Sequence, residues 1–201
     1  MKKLLFVTIV TVLALTLSAC GNSSLKANTI AETELTEREK GILSTTSNQS
    51  FVFDYNIESE YKKVTIWIEK YEFGKLVDEP IGGMTTEVKD KGSIIFTAFK
   101  SNDTQNQTLF NVGVSNNGDT GSFNTSDIIS SNGTDGMFIS WGNISEAIDI
   151  TNGEVVLASI CYSQGSTMAS RTLEFYRDVE GHIHEIKDYD VVYLLKSKFS
   201  N

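Results

Sequence analysis

The sequence predicts a mainly β fold, an antiparallel β-sandwich of immunoglobulin-like or similar type with one short N-terminal helix. From Phe51 onward, apolar residues alternate with polar ones, and clusters of turn-forming residues interrupt the alternation at short intervals. No long helical pattern separates these runs, which favours two packed antiparallel sheets over an alternating α/β fold.

The composition fits one folded domain. The 201 residues include 17 Lys and Arg, 26 Asp and Glu and a single proline, and the formal net charge is −9. A chain of this length can bury a sizeable core. Its acidic balance argues against nucleic acid as a partner, because phosphates would be repelled. Two cysteines are too few for a disulfide scaffold.

The strand patterns follow one another closely along the chain. The run 155–162 is apolar on both faces, which predicts a central strand covered on each side. The polar stretch 121–136 is predicted to be irregular. Around 170–187 the apolar residues also fit helical spacing, but Glu180-Gly181 favours a hairpin turn. The remaining patterns predict strands at 51–58, 63–69, 75–77, 84–88, 93–99, 109–115, 137–141, 171–177 and 191–196.

A helix is predicted at about 33–43, at the start of a folded domain covering 32–201. Thr36 and Glu39 have the spacing of a capping box, and acidic residues crowd the early turns, as the helix dipole prefers. The polar stretch before it predicts a flexible tether over residues 20–31.

The N-terminal twenty residues are typical of an export signal. Lys2 and Lys3 precede an uncharged run from Leu4 to Leu17, which is too short to span a bilayer as a permanent anchor. The run ends in Leu17-Ser18-Ala19-Cys20, which resembles the lipobox of bacterial lipoprotein precursors. The resemblance implies that residues 1–19 are a signal peptide, that cleavage falls between Ala19 and Cys20, and that Cys20 carries a diacylglyceryl group.

This resemblance implies a lipid-anchored protein on the extracytoplasmic face of the cell membrane. The remaining chain loosely resembles secreted β-domains of Gram-positive bacteria. The sequence predicts a non-catalytic binding module without a cofactor, whose partner is an envelope protein, a peptide or a glycan. A special case is an immunity-type lipoprotein that intercepts a cationic peptide or toxin, since the chain is acidic.

An aromatic stripe is the candidate ligand surface. Trp67 lies on the polar face of the predicted strand 63–69, and Tyr61, Tyr71 and Phe73 share its parity. If Trp67 and Tyr71 are exposed to solvent, they would form a binding surface. The alternative is that a second sheet or the N-terminal helix covers them, because aromatic residues usually belong to a core.

A metal site or an enzyme is the other alternative for the function. His182 and His184 would lie on one face of a strand, where two imidazoles can share a divalent ion. The sequence contains no third histidine, and metal sites need three or four ligands. Cys161 lies in the most apolar strand pattern, which predicts an inert buried thiol rather than a nucleophile.

Overall fold

The computed structural model describes residues 25–77, 79–101, 107–129, 136–151, 153–165 and 169–201, and within these ranges the fold is mainly β. The described helices are α1 (Glu37–Ser44), α2 (Leu173–Arg177) and a 3-10 helix (Ile183–Glu185). The described strands are β1 (Thr29–Glu32), β2 (Gln49–Asn56), β3 (Lys63–Glu72), β4 (Lys75–Leu76), β5 (Gly82–Glu87), β6 (Lys91–Lys100), β7 (Thr108–Asn116), β8 (Asp119–Asp127), β9 (Phe138–Asn143), β10 (Ile148–Asp149), β11 (Val155–Ser163) and β12 (Val191–Ser200).

The strands form two antiparallel sheets. Sheet A has the order β10-β1-β2-β6-β7-β8, and sheet B has the order β4-β3-β12-β11-β9, with β5 also paired to β3. Every strand pairing in both sheets is antiparallel. The predicted mainly β fold with two antiparallel sheets is therefore confirmed.

The inward faces of the two sheets meet in one core. The ring centroids of Tyr55 on sheet A and Phe199 on sheet B are 5.3 Å apart. Those of Phe110 on sheet A and Tyr193 on sheet B are 4.8 Å apart. All four side chains are buried. Fully burying a side chain of this size contributes about 1.5–3 kcal/mol, so these contacts join the sheets.

Strand β8 corrects the prediction of an irregular segment over 121–136. Asn117 and Gly118 form a tight turn with positive φ angles of 52° and 90°. The chain then returns along β7 as far as Asp127. Alternate side chains of β8 remain exposed, because it is an edge strand with one face in solvent. Because its composition is mostly polar, β8 lacks the apolar alternation from which a strand is predicted.

The segment before the helix also differs from the prediction. Residues Thr29–Glu32 form β1, which pairs with β2 and β10, so the end of the predicted tether is part of sheet A. Helix α1 starts only after Thr36, whose hydroxyl and backbone N–H complete a capping box with Glu39. None of its residues is buried.

The segment 169–190 is not the predicted hairpin. Thr172 caps α2, and the 3-10 helix follows, so the strand near 171–177 does not form. A turn does form at Glu180-Gly181, where the His182 N–H donates to the Val179 carbonyl oxygen at 3.2 Å, but it links two helices rather than two strands. The apolar side chains at helical spacing pack on the outer face of sheet B. The hydroxyl of Tyr176, for example, lies 3.0 Å from Ser159 Oγ of β11. Strand β11 is buried along its whole length, as predicted.

Candidate functional site

Trp67 is the predicted site residue that the structure places on an open surface. It lies on the outer face of sheet B, between Gly83 of β5 and Lys196 of β12. Its side chain is partly exposed, whereas Ile66 and Ile68 beside it are fully buried in the core. The period-two pattern therefore assigned Trp67 to the correct face.

The predicted aromatic stripe does not form. Tyr71 is only 7% exposed, because the segment 169–190 covers this half of the outer face. Lys187 of that segment packs on Gly74, where an added Cβ would come within 2.9 Å of the Lys187 Cα atom. Tyr61 is buried and lies against Phe199, and Phe73 is in the β3–β4 turn. Tyr71 is thus excluded from the ligand surface.

A hydrogen-bond network holds the Trp67 ring in place. Its Nε1 atom donates to Glu69 Oε1 at 2.9 Å. The other carboxylate oxygen of Glu69 accepts from the Tyr71 hydroxyl and binds Lys196 Nζ, each at 2.9 Å. Lys196 also reaches Glu154 at 3.3 Å. Burial and the Glu69 carboxylate raise the pKa of Tyr71, so its hydroxyl remains a donor.

The neighbouring glycine leaves room for the ring. Gly83 is paired with Trp67 in the β3–β5 ladder. A Cβ atom at Gly83 would lie 2.9 Å from the Trp67 Cβ and 3.0 Å from the Ile66 carbonyl oxygen. Any other residue would therefore crowd the tryptophan and push its ring from its position.

Trp67 lines a shallow groove of about 740 Å³. The groove is bounded on one side by β5 and Pro80, and on the other by Glu154 and Lys198. Its volume falls within the range of small-molecule binding sites, but it is open rather than enclosed. We call this depression the Trp67 groove. It offers an aromatic face, threonine hydroxyls and both signs of charge, which can make stacking contacts and hydrogen bonds.

The histidine pair does not form the predicted site. His182 immediately precedes the 3-10 helix and His184 lies within it, so neither is on a strand. The centroids of their rings are 6.0 Å apart. His182 Nδ1 lies 3.0 Å from the Asp178 carbonyl oxygen. Glu185, the nearest acid in sequence, accepts hydrogen bonds from the Thr172 hydroxyl and N–H. Across the residues that the structure describes, no three His, Cys, Asp or Glu side chains come together as a metal site would require.

Cys161 is buried, as predicted. It is 1% exposed, and this burial raises the pKa of its thiol to about 11. Arg171 Nη1 donates to its Sγ atom at 3.0 Å, while Nη2 donates to the Tyr189 hydroxyl at 2.6 Å. The guanidinium also stacks over the Tyr189 ring at 4.5 Å. A protonated, covered thiol is a packing group rather than a nucleophile.

Sequence reasoning missed a charged cluster between the sheets. Lys70 Nζ lies 2.8 Å from Asp127 Oδ2 and 2.9 Å from Glu72 Oε1, and its side chain is 10% exposed. The Tyr193 hydroxyl donates to the same Asp127 oxygen at 2.7 Å. Lys70 and Tyr193 are on sheet B and Asp127 is on sheet A, so the cluster joins the sheets. The signal was available: Lys70 continues the inward positions of Ile66 and Ile68 at period two.

Ala19 and Cys20, the predicted cleavage and lipidation residues, lie outside the described residues. In the described part of the chain, no helix has both the length and the apolar character needed to cross a membrane.

Comparison with known proteins gives one match. The model of the YgaN domain matches residues 29–199, a span that begins at β1 and ends near the close of β12. It therefore includes both sheets and the Trp67 groove. No curated protein and no solved structure matches the chain. The chain belongs to the YgaN domain family.

Proposed function

We propose that this protein is a lipid-anchored lipoprotein on the extracytoplasmic face of the membrane, and that it binds an envelope ligand in the Trp67 groove. The observation that carries the binding role is a tryptophan whose ring is held by a hydrogen bond to Glu69 yet lines an open groove. A fixed ring loses little conformational freedom when a ligand stacks on it, so more of the contact energy is available for binding.

The support for the anchor is the pattern of the first twenty residues. A basic start, a short apolar run and the Leu17–Cys20 lipobox fall in order. Two acyl chains on Cys20 would exceed the marginal hold of a single chain, at about 0.8 kcal/mol for each buried methylene.

The place where the chain enters the domain is compatible with this anchor. The Leu25 carbonyl accepts a hydrogen bond from Asn56 Nδ2 at 2.7 Å, at the end of β2. Five residue-to-residue steps lead from Cys20 to Leu25, and they span at most about 18 Å when extended.

The anchor is tested in cells that produce the full chain. We expect the wild-type protein to incorporate labelled palmitate and to fractionate with membranes. The Cys20→Ala variant is expected to lose the label and to keep its first nineteen residues, as intact-mass spectrometry would show. An unlabelled, uncleaved wild-type protein would refute the anchor.

The binding role is tested with the protein extracted from membranes in mild detergent. Retention on washed envelope fragments should fall in the Trp67→Ala variant. The matched control is Trp141→Ala, which removes the second tryptophan from β9, where it is 58% exposed and lies away from the groove. Equal retention of wild type and Trp67→Ala would refute the role of the groove.

We also infer that the two sheets, with α1 at the N-terminal side, form a β-sandwich of immunoglobulin-like or similar type. The inward rings of the two sheets interdigitate, as the contact between Phe110 and Tyr193 illustrates. A crystal structure of the protein would test this class, and a closed barrel with β5 hydrogen-bonded to β8 would contradict it.

A further inference from the structure

The Trp67 groove continues beyond the tryptophan. Glu154 lines both this groove and a second depression of about 310 Å³, whose other walls include Asp149, Tyr176 and Arg177. Together they cross the outer face of sheet B from β5 past β3 and β12 to the start of β11. Three strand spacings correspond to about 14 Å. A depression this long and shallow suits a chain-like ligand better than a compact one.

The charges along this path balance. The charged residues that line the two depressions are two carboxylates, Glu154 and Asp149, and two cations, Lys198 and Arg177. Lys196 is already bound between Glu69 and Glu154. The lining residues therefore carry no net formal charge, so they favour neither a strongly cationic nor a strongly anionic ligand.

The same charged groups offer hydrogen bonds at intervals along the path. Glu154 is half exposed, at 49%, and can accept, while Lys198 is exposed and can donate. The Thr65 and Thr85 hydroxyls, 2.9 Å apart, can do both. A ligand with many hydroxyl groups and no charge satisfies this mixture of donors and acceptors.

We propose that the groove binds a linear, uncharged polysaccharide, with one sugar ring stacked on Trp67 and the neighbouring sugars hydrogen-bonded toward Glu154 and Arg177. The inference deepens the proposed function and rests on it. Sugar rings present apolar C–H faces that pack on an aromatic ring, and the Glu69 hydrogen bond holds that ring in one orientation. The hydroxyl edges of the sugars then face the polar groups of the path.

The test uses the intrinsic fluorescence of the full chain in mild detergent. The protein contains two tryptophans, so the Trp141→Phe variant leaves Trp67 as the single indole reporter. The probes are chitohexaose and maltohexaose, with hexalysine and hexaglutamate as charged comparators. We expect a saturable change with at least one hexasaccharide. Roughly 0.5 M NaCl should leave it unchanged, because it does not depend on charge.

Calorimetry with the same hexasaccharide then compares variants. We expect Trp67→Ala to weaken binding by about tenfold or more, and Trp141→Phe to leave it unchanged. Trp67→Phe keeps a ring in the groove and should retain part of the affinity, which separates loss of stacking from misfolding.

Two results would overturn the inference: no response to either hexasaccharide, or a salt-sensitive response to one of the charged peptides alone. Envelope retention separates this failure from that of the proposed function. If the inference fails but the function holds, retention still depends on Trp67 and is lost when the envelope is treated with protease. If retention does not depend on Trp67, the proposed function itself fails.

Discussion

Removal of the Asp127 carboxylate should destabilise the protein, because it leaves the buried ammonium group of Lys70 without its nearest counter-charge. In the Asp127→Ala variant, Lys70 would keep only Glu72, whose side chain is 49% exposed. The Tyr193 hydroxyl would lose its acceptor as well. The two sheets would then no longer be joined by this ion pair.

The magnitude follows from the burial of the cluster. Breaking a fully buried ion pair costs about 3–5 kcal/mol. Asp127 is 22% exposed and Glu72 remains, so we expect about 2–3 kcal/mol. In Lys70→Met the ammonium is replaced by an apolar side chain of similar length, and Asp127 keeps Tyr193 and access to water. The expected cost of this change is about 1 kcal/mol or less.

The double variant Asp127→Ala/Lys70→Met distinguishes the cost of an unpaired buried charge from the cost of lost packing. If the cost of Asp127→Ala comes from the unpaired Lys70, then Lys70→Met should restore part of the stability in the Asp127→Ala background. Urea unfolding followed by tryptophan fluorescence gives the free energy of unfolding of all four proteins, provided that the slope with urea is unchanged. Purely additive destabilisation in the double variant would refute this reasoning.

Three further predictions concern buried groups. Ser197 Oγ is buried without a hydrogen-bond partner among the described residues, so Ser197→Ala should stabilise the protein by up to about 1 kcal/mol. The matched control, Ser159→Ala, removes a bond to Tyr176 and should destabilise it by about 1 kcal/mol in the same urea assay; the reverse order would contradict the argument. The Cys161 thiol should resist a thiol reagent at about pH 8 and react after unfolding, and rapid labelling of the folded protein would contradict its burial. Desolvation is the largest single influence on the pKa of Lys70 and lowers it, but the hydrogen bonds that Lys70 donates to Asp127 and Glu72, together with their negative charges, outweigh it and raise the pKa. Its contribution to stability is therefore complete below the unfolded pKa of about 10.4 and is lost as pH rises through the folded pKa. The difference in unfolding free energy between wild type and Lys70→Met should be constant from about pH 7 to 9 and shrink above pH 10.5, and a difference that shrinks already below pH 9 would contradict this assignment.

Local sequence patterns were sufficient to predict a strand where one of its faces is buried and the other is exposed to water. The inward positions Phe51, Phe53 and Tyr55 are buried in β2, and the Asn117-Gly118 turn lies where its residue types require positive φ. Register in such strands is set by alternation, because a slip by one residue would turn every apolar side chain toward water. The same rule failed for β8, whose inward positions include the polar residues Thr125 and Asp127 and only one large apolar residue, Phe123.

Residues far apart in sequence decided the candidate site. Parity placed Trp67 and Tyr71 on the same face, but the segment 169–190 covers Tyr71 and leaves Trp67 open. Whether a surface is covered depends on packing between distant segments, which no window of ten residues contains. Glu154 lines the Trp67 groove, and Arg177 lines the depression beside it, for the same reason.

By itself, the sequence determined the mainly β class, the central strand β11 and the outward position of Trp67, because each depends on spacing within a short stretch. The tertiary structure alone decided the order of strands in the sheets, the covering of Tyr71 and the pairing of Lys70 with Asp127. These depend on long-range contacts, and their free energy arises only when separate parts of the chain exclude water from one another.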